Sequence, residues 1–377
     1  MKVVVVWNGP ANAAERDPLA RRQVPLLARL EKHGIFPSVI LLGDEGGLRR
    51  DLEAAAIPVG VLPISLAPRP AAVAQLPAAV VRLRSMIRRV DPDVIEGDEP
   101  LPAIAVGLAA RPRARAVLVY RRHHQAGRRR LILASRLAAH LTDRTIVSCE
   151  AMRRCAATDD RTSLDRIEVA VSGTVDMEPL GAPEVAAARR ALGIDPAARI
   201  IGVVSRLRKE KGLDVLLGAL QFLETVGDLH VVVTGVGPEE STLRQTAARS
   251  PVPVHFLGHQ QDVRVALGIA DVIAIPSRHE SLGRVTLEAM AAARPLVGCN
   301  VGGLGEAIIH GETGWLVPPE NSAALAAALQ TMLADPALAR RMGHAARTRY
   351  EERYTIDHMA RAWREVWERV ACTRRQS

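Results

Sequence analysis

Asp271-Val272-Ile273-Ala274-Ile275-Pro276-Ser277 and, one residue later, His279-Glu280-Ser281-Leu282-Gly283-Arg284-Val285-Thr286-Leu287-Glu288-Ala289-Met290 form the stretch that decides the fold. The first part is a short apolar run closed by a proline, the pattern of a buried parallel strand. Residues 285–293 read as a helix, so Glu280 and Glu288 bracket a strand-to-helix turn, one in the loop and one about a turn inside the helix. Gly283 between them lets backbone N–H groups approach a ligand closely. Carboxylates accept from sugar hydroxyls and N–H groups donate to phosphate oxygens, so the stretch suits a hydroxyl-rich, phosphate-bearing ligand. Paired carboxylates are also an arrangement for acid–base catalysis, and the stretch alone leaves that alternative open.

Outward from this stretch the same alternation repeats in both directions. In the first half, residues 3–7, 38–42, 59–63, 93–95, 116–120, 145–148 and 167–171 read as strands, with helices over 21–33, 80–90 and 129–141. A Pro/Gly-containing linker, Met177-Glu178-Pro179-Leu180-Gly181-Ala182-Pro183, marks a boundary, after which the pattern restarts. Residues 200–205, 229–234, 254–257, 272–275 and 295–298 read as strands; Leu213, Leu216, Leu217 and Leu220 mark an amphipathic helix. Alternation of this kind implies right-handed βαβ units and parallel sheets. The expected architecture is α/β, with two Rossmann-like parallel-sheet domains, residues 1–178 and 182–352. Residues 353–377 follow as a terminal helix. Its apolar positions Ile356, Met359, Ala360, Trp363, Val366, Trp367 and Val370 share one face that needs a surface to bury on, either the first domain or a second copy.

Composition narrows the function classes. The apolar start, Met1-Lys2-Val3-Val4-Val5-Val6-Trp7, is too short for a signal peptide and is broken by Asn8-Gly9-Pro10, which favours a first strand and turn. No apolar run reaches the ~18 residues of a membrane-spanning helix. Cys149, Cys155, Cys299 and Cys372 lack metal-ligand spacing, as expected of free thiols in a reducing cytoplasm. The net charge of +9 is uneven: residues 111–136 hold nine arginines and no Asp or Glu. Such a patch attracts anionic lipid or nucleotide diphosphate. Nucleic acid fits least well, because no stacking aromatics beyond Tyr120 interleave with the arginines, and a plain solvated basic surface is the alternative.

Other motifs lie at strand ends. Val203-Val204-Ser205-Arg206-Leu207-Arg208-Lys209-Glu210-Lys211-Gly212 closes the second domain's first strand, where Arg206 and Lys211 can reach a diphosphate. Thr234-Gly235-Val236-Gly237 is a Gly-rich turn that lacks the third glycine of a dinucleotide fingerprint. Gly302-Gly303-Leu304-Gly305-Glu306 follows another strand, and Gly311 and Gly314 flank a turn before Trp315. In the first domain His123 and His124 end a strand beside Arg121 and Arg122.

Taken in order and spacing, Arg206…Lys211-Gly212, Gly235-x-Gly237, Glu280-x7-Glu288, Gly302-Gly303-x2-Glu306 and Gly311-x2-Gly314 resemble the retaining nucleotide-sugar glycosyltransferases of family 4, which have the GT-B fold. The resemblance is sharp over 198–355 and looser but collinear before it, where Pro92-Asp93-Val94-Ile95 and Ser148-Cys149-Glu150-Ala151-Met152 look like family landmarks. It implies that Arg206 and Lys211 bind the donor diphosphate and that Glu280, with the backbone of Ser281, Leu282 and Gly283, holds the transferred sugar. Glu288 would bind the ribose hydroxyls, and one of His123 and His124 would contact the sugar at the reaction centre. Gly9, Gly235, Gly258, Arg284 and Val285 complete the implied donor site. The two domains would face a cleft, and the terminal helix would cross back onto the first domain.

The expected reaction is metal-independent transfer of a hexose from a UDP- or GDP-linked sugar, with no resident cofactor. The expected acceptor is a sugar, a lipid-linked molecule or a small molecule, and peripheral membrane contact would run through 111–136. The expected setting is the cytoplasm or the inner membrane face, as monomer or homodimer. Another GT-B enzyme, an epimerase or phosphorylase, and a non-catalytic nucleotide- or membrane-binding protein are the alternatives. Two departures from the family pattern stand out. The first loop has one glycine where a pair is common, and Ala293 stands where glycine is common before a Pro-Leu strand.

Overall fold

A computed structural model of the chain describes residues 1–8, 18–43, 47–66, 70–110, 117–121, 129–223 and 227–375. Its contacts divide it into two units, Met1–Gly173 with Ile356–Ser377, and Thr174–Thr355.

The first unit is a parallel seven-stranded sheet in the order β3-β2-β1-β4-β5-β6-β7. Its strands are β1 (Lys2–Asn8), β2 (Phe36–Leu42), β3 (Val59–Leu62), β4 (Val94–Asp98), β5 (Val117–Arg121), β6 (Arg144–Val147) and β7 (Ile167–Val169). Its helices are α1 (Pro18–Glu31), α2 (Leu48–Ala54), α3 (Pro70–Val90), α4 (Pro100–Ala110), α5 (Arg129–Leu141) and α6 (Glu150–Asp159). The central strand β1 is valine-rich because both its faces are covered. On one face Val4, Val6, Ile95 and Leu118 pack with Leu83 and Ile87 of α3 and Ala105 and Val106 of α4. Tyr120 extends that layer to Ala138 and Ala139 of α5.

The second unit is a parallel six-stranded sheet in the order β10-β9-β8-β11-β12-β13. Its strands are β8 (Arg199–Val204), β9 (Leu229–Thr234), β10 (Val254–Phe256), β11 (Val272–Ile275), β12 (Leu296–Cys299) and β13 (Gly314–Val317). Its helices are α7 (Ala182–Ala191), α8 (Leu213–Ala219), α9 (Glu240–Ala247), α10 (Arg264–Gly268), α11 (Arg284–Ala291), α12 (Leu304–Ala307), α13 (Ser322–Ala334) and α14 (Pro336–Arg353). The four cysteines are free, and burial pushes the Cys299 thiol up to about 11, which keeps it protonated and inert. Among the described residues no helix is long and apolar enough to cross a membrane.

The terminal helix α15 (Ile356–Arg375) belongs to the first unit. Every position of its expected apolar face is buried, from Ile356 to Val370. Trp367 Nε1 donates to Glu96 Oε2 at 3.2 Å, beneath the centre of the sheet, where Glu96 pairs in register with Val5. Arg29 pairs with Asp357 at 3.1 Å and Arg369 with Glu168 at 2.6 Å, so both ends of the helix are tied to the unit.

Ala293 occupies the left-handed position after α11, at φ 55°. Arg294 N donates to Ala289 O and Ala293 N to Met290 O, the paired bonds of a Schellman cap, whose pivot residue is usually glycine. A side chain at such a φ costs ~1–2 kcal/mol. Ala293→Gly is therefore expected to raise stability by about 1 kcal/mol, and an unchanged or lower urea midpoint would contradict this account of the cap.

Candidate functional site

The sheet of the second unit grows in opposite directions from β8, to β9 and β10 on one side and β11, β12 and β13 on the other. In an open α/β sheet the loops that leave the C-terminal ends of the strands at such a switch part to form a crevice. Here the loop after β8 carries Arg206 and Lys211, and the loop after β11 carries Ser277, Glu280 and Gly283.

These two loops touch. Lys211 ends a single 3-10 turn, Lys209–Lys211, and Gly212 then takes φ 66° to start α8. A Cβ on Gly212 would meet Pro276 O at 1.9 Å, so glycine is required for the approach. Across it, Lys211 Nζ donates to Glu280 Oε2 at 2.5 Å, with the two side chains only 16% and 15% exposed. Ser277 Oγ lies 3.4 Å from the same oxygen. A third loop closes in from β12: a Cβ on Gly302 (φ 54°) would meet Glu280 O at 1.7 Å, and Gly303 N donates to Ser281 O at 2.8 Å. The Lys211–Glu280 pair thus sits in a frame of close-packed backbone that admits no side chain at positions 212 and 302.

Gly283 caps α11, and the first N–H groups of that helix lack partners within it and carry its positive end. Glu288 is 3% exposed, and its Oε1 lies 3.2 Å from Arg284 Nε one turn earlier. Arg284 therefore holds a buried carboxylate with its guanidinium as well as contributing backbone to the turn. Leu282 is buried, so it offers a ligand only its backbone. Arg206 is exposed, on a segment bound to the neighbouring loop through Ser205 N to Thr234 O (3.0 Å) and Leu207 N to Val236 O (2.9 Å). Gly235 N in turn donates to Gly258 O at 2.7 Å. Arg206, Gly235 and Gly258 thus belong to one strand-end framework, and Lys211, Glu280, Ser281 and Gly283 to another beside it. Gly9, His123 and His124 lie outside the described residues.

Arg278 is a residue that sequence reasoning missed. Its guanidinium makes a two-pronged pair with Asp214, Nη1 and Nη2 each at 2.8 Å from a carboxylate oxygen. Nη1 also donates to Lys209 O at 2.6 Å, Nε to Glu320 Oε1 at 2.5 Å, and the Arg278 backbone N–H to Glu210 O at 2.9 Å. One residue therefore clamps the turn that presents Lys211. No spacing signals it, because Asp214 is 64 positions away and Glu320 is 42. The Arg278 hydrogen bond and charge hold the Asp214 carboxyl below its ordinary 3.8.

Arg278→Ala should cost about 1–2 kcal/mol of stability, between values for exposed pairs and for hydrogen bonds to charged groups. A lowered carboxyl pKa stabilises the fold above the ordinary value and loses that contribution as pH falls through the lowered one. The variant and the parent should therefore differ at neutral pH and converge below pH 3.8. Unfolding curves that stay equally far apart in acid would show that the Asp214 pair is not the source.

Comparison with known proteins follows this geometry. Residues 184–349 match the model for Glycosyl transferases group 1, and residues 20–174 the model for Glycosyltransferase Family 4. The chain is 38% identical over 169 residues to glycogen synthase of Mycobacterium tuberculosis (strain CDC 1551 / Oshkosh), covering 44% of this chain and 41% of that protein. It is 32% identical over 281 residues to D-inositol 3-phosphate glycosyltransferase of Rhodococcus opacus (strain B4), covering 68% and 62%. The chain thus spans about half the length of the curated relatives it matches. Among solved structures it is similar to Anabaena HepE in complex with UDP-glucose, with TM-score 0.82 and 22% identity over 98% of this chain and 99% of that one. A glycosyltransferase from Rickettsia africae aligns with TM-score 0.80 and 18% identity over 98% of each chain. At those identities the likeness concerns the fold. With a matched family segment in each of its two parallel-sheet units, the chain belongs to the family 4, group 1 glycosyltransferases of GT-B fold.

Proposed function

We propose that the chain transfers a hexose from a UDP- or GDP-linked sugar to an acceptor hydroxyl, with retention of the anomeric configuration and without a metal. The observation that carries this reading is the Lys211–Glu280 contact at the β8/β11 switch point. A diphosphate needs the ammonium and a sugar hydroxyl needs the carboxylate. In this contact the two groups neutralise each other, and donor would separate them by giving each its own partner.

In this reading Arg206, Lys211 and the N–H groups of Gly283, Arg284 and Val285 stabilise the charge that develops on the leaving diphosphate. Glu280 with the backbone of Ser281 and Leu282 holds the sugar, and Glu288 the ribose hydroxyls. Gly9, Gly235 and Gly258 bring backbone close to the nucleotide, and one of His123 and His124 contacts the sugar. The bond from the anomeric carbon to phosphate oxygen breaks while the acceptor oxygen bonds the same face, and the leaving phosphate takes the acceptor's proton. The acceptor is a sugar, a lipid-linked molecule or a small molecule met in the cytoplasm or at its membrane face, and the basic segment 111–136 contacts anionic lipid.

UDP and UDP-glucose are the ligands named for HepE, which puts UDP-linked sugars first in a screen. A ligand at 100 times its dissociation constant adds ~2.7 kcal/mol of stability, which a thermal-shift series of nucleotides and nucleotide sugars detects. The expected outcome is a shift with one base and a larger one with the matching sugar. A flat series would sink the reading. Donor consumed without any acceptor product would favour the epimerase or phosphorylase alternative.

A further inference from the structure

One helical layer of the first unit differs in composition from the other helices of that unit. Helices α3, α4 and α5 cover one face of the sheet, and together they contain seven arginines and no Asp or Glu. Each of the other helices of the unit, α1, α2, α6 and α15, includes at least one acid. The absence of acids is therefore a property of this layer and not of the unit.

The same layer exposes apolar side chains. Leu133 and Leu137 of α5 are 67% and 48% exposed, one turn apart, and Val73 and Val81 of α3 are 61% and 69% exposed. The outer face of α3 is apolar over its first turns, at Val73, Ala74, Pro77, Ala78 and Val81, and basic over its last, at Arg82, Arg88 and Arg89. Two arginines of the layer serve the fold: Arg84 donates to the carbonyls of Leu108 and Ala109 at the end of α4, and Arg136 to Asp159 O. Arg82, Arg88 and Arg89 remain exposed with no such bond. Exposed leucine and valine beside unopposed arginine fit a surface that offers both hydrocarbon and negative charge. An acidic protein partner would supply the charge but would not need a face so free of acids over three helices.

We propose that the α3–α4–α5 face of the first unit docks on an anionic lipid surface, with Leu133, Leu137, Val73 and Val81 entering the headgroup boundary and Arg82, Arg88 and Arg89 meeting lipid phosphates. This builds on the membrane contact read above from the basic segment 111–136 and moves it to a defined face. It is independent of the donor site.

The test is co-sedimentation of the full chain with vesicles of phosphatidylcholine alone or mixed with phosphatidylglycerol. The wild-type chain should bind the mixed vesicles, release them at high salt, and ignore phosphatidylcholine. Each arginine near such a surface is worth about a fivefold change in partitioning, so R82E/R88E/R89E should bind at least about 100-fold more weakly. L133D/L137D should lose at least about tenfold. Phe222→Asp, an exposed apolar position on the second unit, should bind as wild type. A cooperative thermal unfolding transition at the parent's midpoint, measured without ligand, reports that each variant is folded. If both layer variants bind as wild type while replacing Arg111, Arg113 and Arg115 abolishes binding, the docking face fails and the earlier segment reading stands. If wild type binds neither vesicle, both fail. If L133D/L137D changes the oligomeric state and leaves vesicle binding intact, the face is a protein interface and the proposal is overturned.

Discussion

Lys211→Ala is expected to lower turnover at saturating donor by about 100-fold or more, taking the loss of an oxyanion-stabilising donor as ~3 kcal/mol. The size follows from position. Lys211 is held at the mouth of the sheet switch by Gly212, Gly302 and Arg278, and of the two cationic side chains only the exposed Arg206 would remain to face the leaving diphosphate, beside the N–H groups at the start of α11. Its partner gives a prediction of opposite sign for binding. Glu280 competes with a diphosphate for the Lys211 ammonium, so Glu280→Gln should bind the bare nucleoside diphosphate a few-fold more tightly while losing transfer of the sugar. Calorimetric titration with the diphosphate and with the intact donor separates the two effects. Full turnover in Lys211→Ala, or weaker diphosphate binding in Glu280→Gln, would remove the Lys211–Glu280 pair from the mechanism.

Trp367→Ala is expected to destabilise the first unit by about 3–5 kcal/mol, the cost of deleting a fully buried tryptophan. The deletion also takes away the indole donor of Glu96, whose side chain is wholly buried within the sheet layer. A buried carboxyl group that loses a donor costs more than the hydrogen bond itself was worth, because its desolvation is then less fully offset. Trp367→Phe separates the terms: it keeps most of the volume and should cost about 1–3 kcal/mol for the lost N–H. The loss should fall on one unit. Two urea transitions, with only that of the first unit moved, is the expected result, whereas a uniform shift would mean that the units unfold as one.

Much of this was legible in the chain. Valine-rich β1 and the run 272–275 read as strands because strands buried on both faces leave no polar side to mask the signal. The terminal helix declared its buried face through a 3.6-residue period, and every residue on it is buried. Helix α4 was invisible for the opposite reason: Pro100–Ala110 contains no charged residue and is covered almost all round, so it has no period to detect. The first ten residues of α3 were missed because Pro77 and a run of alanines look like a loop, and β13 because its glycine start looked like a turn. The site divides along similar lines. Glu280 and Glu288 announce themselves through a shared motif, but the contact of Lys211 with Glu280 spans 69 positions and exists only through the order of the sheet. Arg278 depends on partners still more scattered, and no local pattern contains it.

The return of α15 to the first unit sets an order of assembly. The polypeptide leaves that unit after Gly173, completes the whole of the second, and comes back at Ile356. During synthesis the amino-terminal half therefore waits with Glu96 lacking the Trp367 indole that donates to it, while the later half, Thr174–Thr355, has every strand it needs. The usual rule that the first-made domain folds first is reversed here. A released chain truncated just short of residue 356 should resist protease across the second unit and remain open to it across the first.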